Sequence, residues 1–211
     1  MSLAKSLVLT TLALGLASAG AYAGEASLYR PAAPQGSAFV RAYNASHVEL
    51  NVNLGPVELG EIAPQDASDF EFLPPGAYTA KIGNQNLPVK LDPDAYYTLV
   101  SEPGGQARLV PEPPFKNKQK ALLRLQNLSG QALALKTADG KTEVVGNVAP
   151  QGRGDREINP VKVNLALFEG AKKLSDLKPL TLERGEVVCL YVTGEGGKLS
   201  PVWVKRPVKA D

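Results

Sequence analysis

A single histidine, a single cysteine, a single tryptophan and a single methionine occur in 211 residues. Each scarcity removes a class of chemistry. His47 is the only imidazole available to a Ser-His-Asp or Cys-His arrangement. No Gly-x-Ser-x-Gly elbow exists to present a serine to it, and Asn44 stands where an aspartate three residues upstream would stand. His47 therefore reads as a surface residue at the start of a strand. One histidine and one cysteine cannot build a zinc site of the common kinds. Asp92-Pro93-Asp94 offers alternate carboxylates, but Pro93 breaks a calcium-loop pattern and the glycine and terminal glutamate such a loop needs are missing, so the tripeptide reads as a turn. Cys189 has no partner for an intramolecular disulfide. It lies in the apolar run Val187-Val188-Cys189-Leu190-Tyr191-Val192 and reads as a buried thiol in a central strand. Gln151-Gly152-Arg153-Gly154-Asp155-Arg156 is glycine-rich, but it lacks the Lys-Ser/Thr ending and the helix of a phosphate loop. It reads as a loop whose Arg153 and Arg156 form a candidate anionic contact. The expectation is a chain that is not an enzyme and has no cofactor, metal or catalytic residue.

Long apolar runs are equally scarce. Leu7 to Leu16 is the only one of note, and it is too short to cross a bilayer comfortably, which takes roughly 20 residues. Lys5 precedes it and Ala21-Tyr22-Ala23 follows it, so residues 1–23 read as a signal peptide cleaved after Ala23. The expected location is outside the cytoplasm, which argues against a nucleic-acid partner.

Turn-forming residues are abundant: 17 prolines and 20 glycines punctuate the chain at short intervals, as many short strands require. An internal repeat organises them. Phe39-Val40-Arg41-Ala42-Tyr43-Asn44-Ala45-Ser46 matches Leu122-Leu123-Arg124-Leu125-Gln126-Asn127-Leu128-Ser129, and Ala63-Pro64-Gln65 matches Ala149-Pro150-Gln151. Pro88-Val89-Lys90-Leu91 matches Pro179-Leu180-Thr181-Leu182, and the strand 96–100 matches 187–191, each followed by Gly-Gly. The pattern predicts strands over 38–44, 47–54, 69–73, 77–82, 86–91, 95–101 and 106–110 in the first copy. In the second it predicts 120–127, 131–137, 142–148, 161–168, 179–183, 186–193 and 198–204, with a helix-like stretch at 171–177. The fold class is all-β, two tandem antiparallel β-sandwich domains from an internal duplication. An N-terminal arm spans 24–36, the first domain 37–110, a Pro-rich linker 111–118 and the second domain 119–211. The linker reads as a semi-rigid spacer that limits but does not abolish rotation between the domains.

Charge divides unevenly. Residues 24–110 carry five Lys/Arg against ten Asp/Glu, and residues 111–211 carry seventeen against eleven. Such a contrast bears on partners rather than on fold. By residue type, the candidate partner-binding positions are Tyr29 and Arg30 in the arm, Arg41 and Arg124 at equivalent strand positions, Arg153 and Arg156, and Trp203, Lys205 and Arg206 near the end. Exposed sheet edges could also accept a partner's strand.

The signal peptide, the arm with Leu28-Tyr29-Arg30-Pro31, the stretch Phe39-Val40-Arg41-Ala42-Tyr43-Asn44-Ala45 and the double β repeat with a lone histidine resemble the AlgF family of periplasmic alginate O-acetylation accessory proteins of pseudomonads. The likeness spans the chain after residue 23. It implies a periplasmic protein needed for O-acetylation of alginate during exopolysaccharide biosynthesis. The partners it implies are periplasmic SGNH-type alginate acetyltransferases and the membrane-bound O-acyltransferase of the pathway, bridged by protein–protein contacts. Its motifs are structural and carry over no catalytic residue. A second expectation is a carbohydrate-binding module that holds polyanionic alginate through the basic C-terminal domain.

Overall fold

Alternate residues of the first strand serve two different cores. The computed structural model describes residues 32–195 and 198–206. In β1 (Ala38–Asn44), Ala38, Val40 and Ala42 enter one apolar core, whereas Tyr43 enters another on the opposite face. A strand buried on both faces reads as a nearly continuous apolar run, and that is how β1 and its counterpart β10 (Ala121–Asn127) appear in sequence.

The first repeat continues with β2 (Leu50–Leu54), β3 (Val57–Ile62), β4 (Asp66–Ala67), β5 (Glu71–Leu73), β6 (Gly76–Ile82), β7 (Gln85–Leu91), β8 (Tyr96–Ser101) and β9 (Ala107–Glu112). The second continues after β10 with β11 (Leu133–Thr137), β12 (Glu143–Val148), β13 (Arg153–Ile158), β14 (Val161–Val163), β15 (Leu165–Glu169), β16 (Lys172–Asp176), β17 (Leu180–Leu182), β18 (Val187–Glu195) and β19 (Lys198–Arg206). Each repeat packs an inner sheet on an outer one. The inner sheets run β4-β1-β8-β9, with β5 also on β1, and β13-β10-β18-β19; the outer sheets run β3-β2-β6-β7 and β12-β11-β15-β16. The matching orders bear out the duplication. Each inner sheet contains one parallel pair, β1 with β8 and β10 with β18, within otherwise antiparallel ladders.

Three expectations are corrected. The helix-like stretch is β16, because Gly170 (φ +57°) turns the chain back and Lys172 pairs with Glu169; a segment this short gains more from a ladder than from a helix. The glycine-rich 151–156 segment is mostly β13 rather than a loop. Its Gly154 is there for packing, since a Cβ would sit 2.6 Å from Val145 Cγ1 and from Val148 Cγ2. Strand β3 was missed because a bulge near Val52/Asn53, beside Gly60 at φ +85°, breaks its alternation.

Three of the edge strands are blunted by proline, which cannot donate to an added strand: Pro88 in β7, Pro111 in β9 and Pro201 in β19.

Candidate functional site

The 111–118 segment, read as a semi-rigid spacer, begins inside the sheet. Pro111 and Glu112 end β9, and Glu112 is 1% exposed. The described residues from Pro34 onward form one compact unit in which the faces of the inner sheets turned away from their own cores meet. Tyr43, Val100 and Val110 of the first repeat pack there on Leu128, Cys189, Tyr191 and Val204 of the second, and the Tyr43 and Tyr191 rings stack at 4.5 Å.

A charged cluster is sealed inside this junction. Arg41 Nη2 donates to Glu112 Oε1 at 2.8 Å and Arg41 Nε to Thr98 Oγ1 at 3.1 Å. Thr98 Oγ1 donates to the same Glu112 oxygen, and Tyr191 OH, from the other repeat, donates to it at 2.6 Å. Glu112 Oε2 faces Arg124 Nη1 at 3.6 Å, an ion pair without hydrogen-bond geometry. Arg124 in turn forks onto Asp155, with Nε to Oδ1 at 2.8 Å and Nη2 to Oδ2 at 2.9 Å. The Arg41 guanidinium lies 4.7 Å from the centre of the Phe70 ring, a cation–π contact. Phe70 and Asp155 thus back the two equivalent arginines in different ways, one with a ring and one with a carboxylate.

Burial opposes the charges of Arg41, Glu112 and Arg124, yet the pairing overrides it. Burial alone would raise the Glu112 carboxyl; the Arg41 charge and the hydrogen bonds from Thr98, Tyr191 and Arg41 hold it down at about 2. Arg124 is raised despite burial by its hydrogen bonds and charge contact with Asp155. Burial first, and then the Glu112 charge, pushes the Tyr191 hydroxyl up and the Cys189 thiol up. Cys189 is therefore a neutral, 1% exposed side chain, as its apolar strand suggested. The expected result is that a soluble thiol reagent modifies it only on unfolding, checked by labelling across a denaturant series.

The arrangement ties the repeats together. Arg41 and Arg124, read from sequence as partner-binding, are 2% and 1% exposed and so cannot meet an external partner. Arg153 Nη1 donates to the Pro111 carbonyl at 3.3 Å. Arg156 Nη1 donates to the carbonyls of Glu143 and Val144, each at 3.1 Å, bridging the two sheets at their shared edge. Trp203 is half-buried against the second core, while exposed Lys205 donates to the Thr181 carbonyl at 3.1 Å and pairs with Glu186 at 3.2 Å. Arg206 ends β19 opposite Val187. Tyr29, Arg30 and the segment 1–23 lie outside the described residues. His47 is exposed in a bend, and Asp92-Pro93-Asp94 forms a turn. Among the described residues, no group of three or more His, Cys, Asp and Glu could hold a metal ion, and no helix is long and apolar enough to cross a membrane.

Sequence reasoning missed Glu112, Thr98, Tyr191 and Asp155. A signal existed: an arginine set in Leu122-Leu123-Arg124-Leu125 demands an acid, and Glu112 is the lone acid among the linker prolines.

A family model described as "Alginate O-acetyl transferase AlgF" matches residues 11–189. The alginate biosynthesis protein AlgF of Pseudomonas aeruginosa is 72% identical over 95% of this chain and 93% of its own length. That of Pseudomonas fluorescens is 60% identical over 98% and 94%, and that of Azotobacter vinelandii 62% over 89% and 86%. Two solved structures are similar to parts of the chain. The C-terminal domain of the P. aeruginosa protein is 80% identical, covering 42% of this chain and all of that one at a TM-score of 0.40. Its N-terminal domain is 65% identical, covering 38% and 99% at 0.35.

Proposed function

The chain belongs to the AlgF family of alginate biosynthesis proteins, tied to O-acetylation of the polymer, and from that premise we propose that it is a non-catalytic periplasmic adaptor. It bridges the enzymes of acetylation, the periplasmic SGNH-type acetyltransferases and the membrane-bound O-acyltransferase, by protein–protein contacts. Residues 1–23 direct its export. The observation that carries this reading is the sealed junction. The Arg41–Glu112–Tyr191 cluster and the apolar layer around it hold the repeats as one body. The two outer sheets then lie on opposite sides of that body, one in an acidic half and one in a basic half. Holding two enzymes on one rigid support raises the effective concentration of each for the other.

The side-chain chemistry supports the same reading. Cys189 is sealed in the junction, and His47 stands exposed in a bend with no nucleophile elbow in the sequence to serve, which supports a non-catalytic role. His47→Ala is expected to leave the acetyl content of secreted alginate unchanged, measured by acetyl ester analysis of polymer from a complemented deletion strain. The direct test is capture. The purified full chain should retain at least one purified periplasmic acetyltransferase, and should by itself transfer no acetyl group to polymannuronate. Acetylation of the polymer by the isolated chain would overturn the proposal.

A further inference from the structure

At one matched position the first repeat carries a tyrosine ring and the second a much smaller side chain. In the first repeat, Tyr78 of β6 pairs across the hairpin with Val89 of β7. Its ring lies so close to the β2–β3 turn that a Cβ on Gly55 would sit 2.7 Å from Tyr78 Cδ1. Its hydroxyl donates to the Pro74 carbonyl at 2.8 Å. The ring thus fills the gap between the hairpin, the β2–β3 turn and the chain just after β5.

Register identifies the same place in the second repeat. Val52 pairs with Ile82 and Leu54 with Ala80, as Leu135 pairs with Leu167 and Thr137 with Leu165. Two residues before Ala80 and Leu165 stand Tyr78 and Val163. The far side agrees: Tyr78 opposes Val89, and Val163 opposes Leu180, the residues matched by the repeat. Leu73 opposes Ala38 as Ile158 opposes Ala121, so the counterpart of Pro74 is Asn159. Where the first repeat has a tyrosine ring, the second has only a valine. The gap is open there: the lining of a cavity of about 300 Å³ includes Ile158, Asn159, Val163 and Leu165 together with the charged Glu143, Arg156 and Glu157. Val144, Ile158 and Val163 are half-buried on the second core and Leu165 is 2% exposed, so the side of the cavity next to the core is apolar, while Glu143, Arg156 and Glu157 line the rest. The lining includes both the residue that replaces the tyrosine and the one that replaces its hydroxyl acceptor.

We propose that this cavity is a docking slot for the aromatic ring of a tyrosine from a bound protein partner. The inference rests on the adaptor reading and deepens it, by naming how one partner is gripped. The first repeat shows the occupant: a phenol whose ring lies between hairpin and turn, with its hydroxyl on the backbone after the inner-sheet edge strand. Aromatic side chains seated in small, largely apolar pockets are the anchors that dominate protein–protein interfaces, and the volume lies at the small end of ligand pockets, suited to one ring.

The slot is read with p-cresol, the tyrosine side chain as a free molecule, titrated into the full chain while methyl resonances are followed. The expected result is saturable shifts confined to Val144, Ile158, Val163 and Leu165. Val163→Tyr rebuilds the first-repeat arrangement and should weaken p-cresol binding at least tenfold, with the fold retained. Tyr78→Val empties the first-repeat slot and should create a second p-cresol site near Pro74, a result that does not depend on how Val163→Tyr folds. The proposal is overturned if p-cresol moves none of these methyls, if Val163→Tyr binds it undiminished, or if Tyr78→Val gains no second site. Val163→Tyr should also weaken capture of the acetyltransferase at least tenfold. Capture undiminished by Val163→Tyr leaves the adaptor reading standing and removes the slot from it. Capture failing for the unaltered chain, while p-cresol binds as described, fells the adaptor reading instead. A concentration-dependent dimer abolished by Val163→Tyr would assign the slot to a second copy of this chain and overturn the proposal.

Discussion

Replacing Glu112 with alanine is expected to cost about 3–5 kcal/mol, the cost of leaving a buried charge without its partner. The loss falls on two arginines. Arg41 keeps its bond to Thr98, the long bond it donates to Tyr191 OH and the Phe70 face, while Arg124 keeps Asp155. The uncompensated charge is therefore chiefly that of Arg41, which is 2% exposed. For a protein of this size each kcal/mol shifts the midpoint by roughly 2–4 °C, so a fall of about 10 °C or more should appear in a thermal scan. The junction is also what couples the repeats. The variant should show a broadened or two-step transition where the unaltered chain shows one. Glu112→Gln, which keeps the volume and can still accept from Tyr191, should fall in between. A double-mutant cycle with Arg41→Met should show strong coupling, because removing both members of the pair leaves less unbalanced charge than removing either.

The same carboxylate gives the pH dependence its sign. Its native value is held near 2, against about 4.3 for a free glutamate. The unfolded chain thus binds more protons than the native one as pH falls between those values. The stabilisation from Glu112 is complete above the unfolded value and is lost as pH drops toward 2. Acid unfolding of the unaltered chain should therefore steepen below about pH 4, and Glu112→Gln should remove part of that steepness while lowering stability at neutral pH. An acid limb identical in the two proteins would show that Glu112 is not the group responsible.

The duplication and most strands could be read from sequence because their causes are local: alternation, turn residues, and a matching order of short motifs. The apolar stretch Val187–Val192 announced a central strand. What covers its second face was not legible, because that depends on which outward-facing residues of one repeat meet those of the other. Pro111-Glu112-Pro113-Pro114 reads as a spacer by composition, yet Pro111 pairs with Tyr97 and Glu112 with Tyr96 in the β8–β9 ladder. That pairing sets Glu112 on the junction face beside Arg41. The two arginines drew attention for being equivalent, and their shared position was informative. Their exposure was misjudged because a strand's sequence does not reveal whether its polar face meets water or another sheet. The vacancy beside Val163 lay further still from sequence. Tyr78 and Val163 become comparable only through strand register, since the second hairpin breaks into β15–β16 and β14–β17 where the first is one continuous ladder.

The second large effect is expected at the asparagine that closes each repeat's first strand. Asn127 is fully buried, and its Nδ2 serves the carbonyls of Gln131 at 2.7 Å, Val148 at 3.0 Å and Ala149 at 3.1 Å. Its Oδ1 accepts from Ser129 N at 3.0 Å and from Ser129 Oγ at 2.7 Å. One side chain thus satisfies the turn after β10 and ties it to the end of β12. Asn44 repeats the device with Val48 O at 2.7 Å, Ile62 O at 2.9 Å and Ser46. Removing the amide strands buried carbonyls at about 1–3 kcal/mol each, so Asn127→Ala should cost about 3 kcal/mol. Asn44→Ala should cost less, because its Ser46 is half-exposed and can turn to water, whereas Ser129 is fully buried. Asn127→Asp should be worse than alanine, since it sets a carboxylate oxygen against carbonyls that need a donor. The two alanine effects should add, as the sites belong to separate repeats and share no partner. Denaturant unfolding of the four variants, including the Asn44→Ala/Asn127→Ala pair, checks the order. An aspartate tolerated as well as asparagine at 127 would show that the donor is not what holds the turn.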